Sequence, residues 1–238
     1  EFLNSCISAD FKIENLETKP AKKSPSAPFI TSTLQQEASR KLGYSVAQTM
    51  SVAQRLYESG KITYMRTDSV NLSNDALSAA KSEIVSSYGH EYSKTRSFST
   101  KAKGAQEAHE AIRPTDMSKH SVEGESSHQK LYELIWKRTI ASQMSDAQLE
   151  RTIAKIDIST SNEQFTAKGE MIKFDGFMKV YMEGKDDESE EQKDMLPKLN
   201  VSDDLTLNEL RATERFSKHP ARYAEASLVK KLEDLGIG

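Results

Sequence analysis

The sequence is poor in cysteine and contains no long apolar run. Cys6 is the one cysteine among 238 residues, so no disulfide can form within the chain. A cysteine-based zinc site is not expected either, because such sites use several thiolates. No stretch approaches the roughly 20 apolar residues of a membrane-spanning helix, and no signal-peptide pattern is present. A lone thiol is typical of a reducing compartment, so we expect a cytoplasmic protein without a membrane partner.

Positive charge is not in excess. The formal net charge is −3, with 36% hydrophobic and 29% charged residues, as in many soluble proteins. This balance argues mildly against binding to nucleic acid, because phosphate contacts come from Lys and Arg. The acidity is local, however, since carboxylates crowd the run 183–194, which is predicted to be a solvated loop. Basic residues cluster elsewhere, at Lys94, Arg96, Lys101, Lys103 and Arg113. A basic groove that binds nucleic acid is therefore compatible with the sequence.

Hydrophobic periodicity predicts a helical middle of the chain. A first helix, capped by Thr31 or Ser32, is predicted to run to Leu42, and a second, capped by Ser45, is predicted to end at Gly60. The apolar stripe of the second helix is predicted to be Val46, Met50, Ala53 and Tyr57. Two helices across a short glycine turn, followed by a strand, resemble a helix-turn-helix with a wing. Many such pairs never contact DNA.

Three more helices are predicted before residue 150. Ser73 is expected to cap the first, a short helix is expected from Ala105 to Ile112, and a long one from Glu125 to Met144. The buried face of the first is predicted to contain Leu77, Ala80, Ile84 and Tyr88.

Short β segments are predicted on both sides of these helices. Phe11 and Ile13 alternate with charged residues, and from about Arg151 the apolar period is again two. The proline- and lysine-rich stretch from Lys19 to Pro28 is predicted to be an extended linker between domains.

The fold class expected from this pattern is a multidomain α+β protein. A mainly helical, winged-helix-like domain at 29–149 is predicted to be inserted into an antiparallel β-sheet arch domain made of 1–28 and 150–216. Residues 217–238 are predicted to begin a further helical domain.

The stretch from Lys61 to Ser69 says most about function. In an extended chain, side chains two apart point the same way, so Tyr64, Arg66 and Asp68 are predicted to project together. A phenol beside a cation suits attack on a phosphodiester, because the cation favours the phenolate and stabilises charge on phosphate oxygens. From the residues alone the alternative stays open that the tyrosine only packs and the arginine is only solvated.

Four blocks of the sequence resemble signature segments of the type IA DNA topoisomerases. Ile62–Ser69 resembles their active-site segment, and Gln106–Pro114 resembles a second signature. Pro28–Gln36 precedes both, and Pro220–Tyr223 with Glu225–Lys230 follows them. The blocks occur in family order and span nearly the whole chain.

The resemblance implies a role for each candidate residue. Tyr64 would be the nucleophile that attacks a phosphorus of single-stranded DNA, forms a 5′-phosphotyrosine and releases a 3′-hydroxyl without ATP. Arg66 would hold the scissile phosphate, and His109 would hydrogen-bond an oxygen or move a proton. Arg113 is a further candidate DNA contact. Independently of the resemblance, Asp68 could orient Arg66 through an ion pair, but a local role as the cap of the turn leading to Ser69 is preferred.

The resemblance also implies features that lie outside the sequence. The chain starts at Glu1 and stops at Gly236-Ile237-Gly238, where the family motif continues, so a piece of a longer protein is expected. Mg²⁺ is expected to bind an acidic cluster in a missing N-terminal domain, and no metal site is expected here. The chain alone is therefore predicted not to relax supercoils.

The expected partner is single-stranded or negatively supercoiled DNA, and a monomer in the bacterial nucleoid is expected. Two other functions remain open at this point. The chain could be a winged-helix module that binds nucleic acid without chemistry, or an architectural arch segment with negligible affinity for oligonucleotides.

Overall fold

A computed structural model describes residues 2–98, 109–182, 184, 196–197, 199–217, 219 and 222–237. These residues contain six α-helices and four β-strands, which confirms the α+β class. None of the helices in the described ranges is both long and apolar enough to cross a membrane. The predicted acidic loop at 183–194 lies, apart from residue 184, outside the described residues.

The chain divides into two units, each with its own packing. The first, the sheet unit, contains the described residues of 1–23, 147–174 and 189–221, and the second, the helical unit, those of 24–146, 175–188 and 222–238. The helices are α1 (Phe2–Cys6), α2 (Thr31–Leu42), α3 (Val46–Glu58), α4 (Asn74–Tyr88), α5 (Ser126–Ser142) and α6 (Glu225–Asp234). The strands are β1 (Phe11–Lys23), β2 (Ala147–Ile158), β3 (Gln164–Phe174) and β4 (Asp204–Leu205). The predicted domains, including the arch role of the sheet domain, stay predictions.

The sheet unit is an antiparallel sheet with the strand order β3-β2-β1-β4. β1 and β2 pair from Phe11 opposite Ile158 to Lys23 opposite Ala147, with a register shift after Ile13. The core of the unit lies at one end, where Cys6, Phe11 and Ile158 are buried against Phe165 and other apolar side chains. Beyond Ile13, most residues of β1 are exposed.

The predicted linker from Lys19 to Pro28 is wrong in its first half. β1 continues through Pro20, which lies opposite Glu150, and ends at Lys23. β4 pairs only with Phe11 and Lys12, so the other edge of β1 is open where the proline lies, within the described residues. Proline is tolerated there because its missing N–H is not needed for a ladder hydrogen bond.

The helices of the second unit begin and end close to the predicted residues. The side chain of Ser45 accepts a hydrogen bond from the Gln48 N–H at the start of α3, and Ser73 does the same for Ala76 at the start of α4. Gly43 ends α2 in the left-handed region, at φ 68°. Ile30, rather than Thr31 or Ser32, is the N-cap of α2.

The predicted apolar stripe of α3 is confirmed at Ala53 and wrong elsewhere. The buried residues of the helix are Thr49, Val52, Ala53 and Leu56, whereas Tyr57 is 40% exposed. The buried stripe is rotated by about one residue, because it contains the polar Thr49. The rotation leaves Tyr57 outside the core.

Two further predictions near the tyrosine are corrected. Residues 109–112 are not helical, because the Ile112 N–H donates to the Phe29 carbonyl at 2.8 Å instead of forming a helix bond; residues 105–108 lie outside the described ranges. Tyr64 is not in a regular strand either, and one isolated bridge, Ile62 to Pro114, takes the place of a two-stranded wing in the described residues. The winged-helix detail is therefore not confirmed.

Candidate active site

The segment Ile62–Ser69, called the tyrosine segment below, alternates between buried and exposed side chains. Met65 is 0% exposed, and Thr67 and Ser69 are buried with it. Between them, Arg66 and Asp68 are exposed, and Tyr64 is 42% exposed. Such an alternation is typical of extended backbone with one face against a core. The phenol and the guanidinium therefore lie on the solvent side of the segment.

Thr31, at the start of α2, forms hydrogen bonds with the backbone of the tyrosine segment. Its N–H donates to the Thr67 carbonyl at 3.0 Å, and its hydroxyl accepts from the Thr67 N–H at 2.9 Å. The same hydroxyl donates to the Met65 carbonyl at 2.9 Å. One threonine thus satisfies three backbone groups that no sheet ladder satisfies.

Thr63, the residue before the tyrosine, joins the segment to the second signature block. Its N–H donates to the Arg113 carbonyl at 2.9 Å, and its hydroxyl accepts from the Arg113 N–H at 2.9 Å. That hydroxyl donates in turn to the Ala111 carbonyl at 2.7 Å. The Phe29 carbonyl, in the block Pro28–Gln36, accepts a hydrogen bond from the Ile112 N–H, in the block Gln106–Pro114. Three of the four signature blocks are therefore joined around Tyr64 by backbone hydrogen bonds.

The last signature block, Pro220–Tyr223 with Glu225–Lys230, contacts the start of α3 through Glu225. A carboxylate oxygen of Glu225 in α6 accepts from the Val46 N–H at 3.2 Å, which is a favourable place for an anion at a helix N-terminus. Ala226 is buried beside it. Pro220 and Ala221 of this block lie outside the described residues.

The end of α3 turns the chain back towards the helix. Gly60 adopts φ 68°, its N–H donates to the Tyr57 carbonyl at 2.8 Å, and the Lys61 N–H donates to the Leu56 carbonyl at 2.8 Å. These two bonds and the left-handed glycine form a Schellman motif. As a result, the Tyr64 ring lies against the Tyr57 ring, with centroids 5.3 Å apart.

His109 is half-buried, and it lies two residues before Ala111, whose carbonyl accepts a hydrogen bond from the Thr63 hydroxyl. The described contacts join the tyrosine segment to Ala111 and Arg113, and the position of His109 at the site stays a prediction. Gln106 to Ala108, the rest of the block before it, lie outside the described residues.

The guanidinium of Arg113 is hydrogen-bonded within the protein. One guanidinium nitrogen donates to a Glu110 carboxylate oxygen at 2.6 Å, and another donates to the Pro114 carbonyl at 2.9 Å. The other Glu110 oxygen accepts from the Ser73 N–H at 2.7 Å. Burial on its own raises the pKa of Glu110, but the hydrogen bonds from Ser73 and Arg113 outweigh it and hold the pKa below its ordinary value. Glu110 thus joins the block Gln106–Pro114 to Ser73, the N-cap of α4, by a hydrogen bond.

The expected capping role of Asp68 is wrong. The Ser69 N–H donates to the Thr67 hydroxyl at 3.1 Å, so Thr67 closes this turn and the Asp68 side chain is exposed. The sequence pattern indicated packing for Tyr57 and a helix cap for Thr31, and it indicated no role for Thr63. The signals available were an aromatic residue seven positions before Tyr64 and a threonine in each of two blocks.

No group of three or more His, Cys, Asp and Glu side chains in the described residues could hold a metal ion. The side chains of the described residues therefore do not fit a resident Mg²⁺.

A family model described as DNA topoisomerase matches residues 1–238. The chain is 48% identical over 238 residues to DNA topoisomerase 1 of Zymomonas mobilis, covering 97% of this chain and 20% of that protein. It is 50% identical over 239 residues to DNA topoisomerase 1 of Streptomyces coelicolor, covering 96% of this chain and 25% of that protein.

A solved structure, full-length topoisomerase I from Thermotoga maritima, is similar with a TM-score of 0.77 and 34% identity, covering 100% of this chain and 39% of that one. The chain spans between 20% and 32% of the length of the curated relatives that it matches. The family model covers every residue, and the identities are far above those of chance likeness. The chain therefore belongs to the type IA DNA topoisomerase family.

Proposed function

We propose that this chain carries the DNA-cleaving tyrosine of an ATP-independent topoisomerase, and that Tyr64 is the nucleophile. The observation that carries the proposal is an exposed phenol on a segment whose neighbours are buried and hydrogen-bonded by the other signature blocks. A packing tyrosine would have its ring in the core, whereas here the core positions are taken by Ile62 and Met65.

The proposed step is a transesterification. The Tyr64 oxygen forms a bond to a phosphorus of single-stranded DNA while the bond from that phosphorus to the 3′-oxygen breaks. The phenol proton leaves and the departing 3′-oxygen gains a proton, so a 5′-phosphotyrosine and a 3′-hydroxyl result. The reverse reaction reseals the strand, and no ATP is needed because the phosphodiester bond is exchanged rather than hydrolysed.

Arg66 is proposed to hold the scissile phosphate. It is two residues from Tyr64 on the same exposed side of the segment, and its planar guanidinium suits phosphate oxygens. His109 is proposed to hydrogen-bond the same phosphate or to move a proton, since an imidazole nitrogen can donate or accept a hydrogen bond. Arg113 is proposed as a further DNA contact, which requires a phosphate to compete with Glu110 for its guanidinium.

At the level of the complete protein we propose strand passage that relaxes negatively supercoiled DNA. Mg²⁺ is proposed to act through residues outside this chain. A monomer acting in the bacterial nucleoid is proposed, and the prediction that the chain alone does not relax supercoils stays open to a direct relaxation assay.

The test is Tyr64→Phe in the complete protein, with trapping on a single-stranded oligonucleotide. We expect the covalent adduct to be lost while the oligonucleotide Kd stays within about threefold, because only the attacking oxygen is removed. Tyr88→Phe in α4 is the matched control and should keep the adduct. An adduct that Tyr64→Phe still forms at the unaltered rate would contradict the assignment.

The same assay separates the two alternatives. A non-catalytic winged-helix module would bind the oligonucleotide but form no adduct in either protein. An architectural segment would show negligible binding and no dependence of binding on salt, whereas phosphate contacts weaken as salt rises.

A further inference from the structure

The ring of Tyr64 has one aromatic neighbour, Tyr57, in the described part of the chain. The two centroids are 5.3 Å apart, and the planes make an angle of 66°, which is an edge-to-face arrangement. Both side chains are partly exposed, Tyr57 by 40% and Tyr64 by 42%. The pair therefore lies at the surface rather than in the core, although both residues are large and apolar in part.

The two rings belong to one rigid piece of backbone. Tyr57 is in the last turn of α3, and the Schellman motif at Gly60 fixes the path of the chain from that turn towards Tyr64. The Thr115 hydroxyl donates to the Gly60 carbonyl at 2.8 Å, and the Thr115 N–H donates to the Lys61 carbonyl at 3.0 Å. With Ile62 buried next in sequence, the backbone between the rings is held at each step.

The backbone hydrogen bonds do not fix the Tyr64 side chain. An exposed tyrosine turns among its χ1 rotamers within picoseconds to nanoseconds, and most of those orientations point the hydroxyl away from any one target. An edge-to-face contact favours one orientation, because the positive edge of one ring meets the negative face of the other. Such a contact uses the rings only and leaves both hydroxyls available.

We infer that Tyr57 is a positioning residue for Tyr64, an inference that rests on the proposed function. It restrains the direction of the Tyr64 ring so that the phenolic oxygen lies in line with the bond that breaks. Small displacements of a nucleophile have large kinetic effects, up to about a hundredfold for about 1 Å. The role belongs to the ring of Tyr57 and does not need its hydroxyl.

The experiment uses the complete protein and four variants, Tyr57→Phe, Tyr57→Leu, Tyr88→Leu and Tyr64→Phe. Tyr88 is the matched control, because it too is a tyrosine in the last turn of its helix, and its ring pairs with that of Tyr92 at 6.3 Å. The rate of adduct formation on a single-stranded oligonucleotide is measured in a single turnover at saturating protein, and the Kd is measured separately.

Tyr57→Leu is expected to slow adduct formation by about tenfold or more, with the Kd changed by less than about threefold. Tyr57→Phe, which keeps the ring, is expected to restore the rate to within about twofold, and Tyr88→Leu should leave it within about twofold. A Tyr57→Leu rate within twofold of the unaltered protein would overturn the inference. So would an equal loss in Tyr57→Leu and Tyr57→Phe, which would assign the effect to the hydroxyl.

Failure of the proposed function has a different result. If Tyr64→Phe keeps the adduct, the nucleophile is elsewhere and the inference about Tyr57 is overturned together with the proposed function. If Tyr64→Phe loses the adduct and Tyr57→Leu does not slow it, the nucleophile stands and the positioning role alone is wrong. A loss of rate in Tyr57→Leu and Tyr88→Leu alike would show a general loss of stability and would also overturn the inference.

Discussion

The sheet of the first unit and the tyrosine segment of the second are held in place by different interactions. β1, β2 and β3 form continuous ladders of backbone hydrogen bonds, but most of the β1 side chains beyond Ile13 are exposed. The tyrosine segment has only one isolated bridge within the described residues, yet Met65 is 0% exposed and Thr31 binds its backbone at three points.

The difference shows how the backbone of a residue can be held firmly while its side chain stays exposed. In a ladder, the backbone is ordered by its own hydrogen bonds, whether or not the side chains are buried. In the tyrosine segment, rigidity comes from buried neighbours on either side, so that one residue can be exposed while the next is in the core. Substitutions in the two regions should therefore differ in their effects on the free energy of unfolding.

The largest difference is expected for loss of an apolar side chain. Met65→Ala should lower the free energy of unfolding by about 3 kcal/mol, because it removes a fully buried side chain. Ile172→Ala in β3 should change it by less than about 0.5 kcal/mol, because Ile172 is 47% exposed. Urea unfolding followed by far-UV circular dichroism measures both, and the fluorescence of Trp136, the single tryptophan, reports on the helical unit. Equal effects would remove the distinction between the two regions.

A smaller difference is expected for loss of a hydroxyl. Thr31→Val should lower the free energy of unfolding by about 2 kcal/mol, because the Met65 carbonyl and the Thr67 N–H lose their partner. Thr18→Val in β1 is the matched control and should have an effect within about 0.5 kcal/mol, because Thr18 is exposed and valine suits a strand. The same urea experiment applies, and a neutral Thr31→Val would show that α2 does not hold the segment.

The smallest effect is expected for two carboxylates whose pKa values lie below the ordinary 4.5. A lowered folded-state pKa contributes stability that is present above pH 4.5 and is lost as the pH falls through the folded value. Glu110→Gln and Glu17→Gln should therefore make unfolding less dependent on pH in the acid range. The pKa of Glu17 is lowered chiefly by a hydrogen bond from exposed Lys19 in β1.

Ionic strength should change the effects of Glu17→Gln and Glu110→Gln on stability to different extents. Raising the ionic strength should weaken the effect of Glu17→Gln, because Glu17 and Lys19 are both exposed and their charges are screened. The effect of Glu110→Gln should persist, because Glu110 accepts hydrogen bonds from the Ser73 N–H at 2.7 Å and from Arg113 at 2.6 Å. Unfolding temperatures measured from pH 6 down to about pH 3 at low and high salt test both statements, and equal salt sensitivity would contradict them.

The sequence was sufficient for features that depend on local pattern. Ser45 and Ser73 cap their helices as predicted, and the alternation at Ile156 and Ile158 lies in a strand. These signals are local, because a cap is formed within three residues and a strand alternates with a period of two. The exposure of Arg66 also agrees with the alternation expected around Tyr64.

The failures involve contacts between distant residues or a choice between similar ones. A helix was predicted through residues 109–112, but the Ile112 N–H binds Phe29, far away in sequence, instead of a carbonyl four residues before it. The stripe of α3 was misplaced because Thr49 is fully buried, and propensity alone does not predict a buried threonine. Asp68 was assigned a capping role that Thr67 fills, since both residue types suit such turns.

The most direct test of the account is to locate the nucleotide on the protein. The complete protein is trapped on a single-stranded oligonucleotide, digested with a protease, and its modified peptide is sequenced by mass spectrometry. The account predicts a nucleotide joined through its 5′-phosphate to Tyr64. A nucleotide on any other residue, or none in a preparation that cleaves the oligonucleotide, would contradict it.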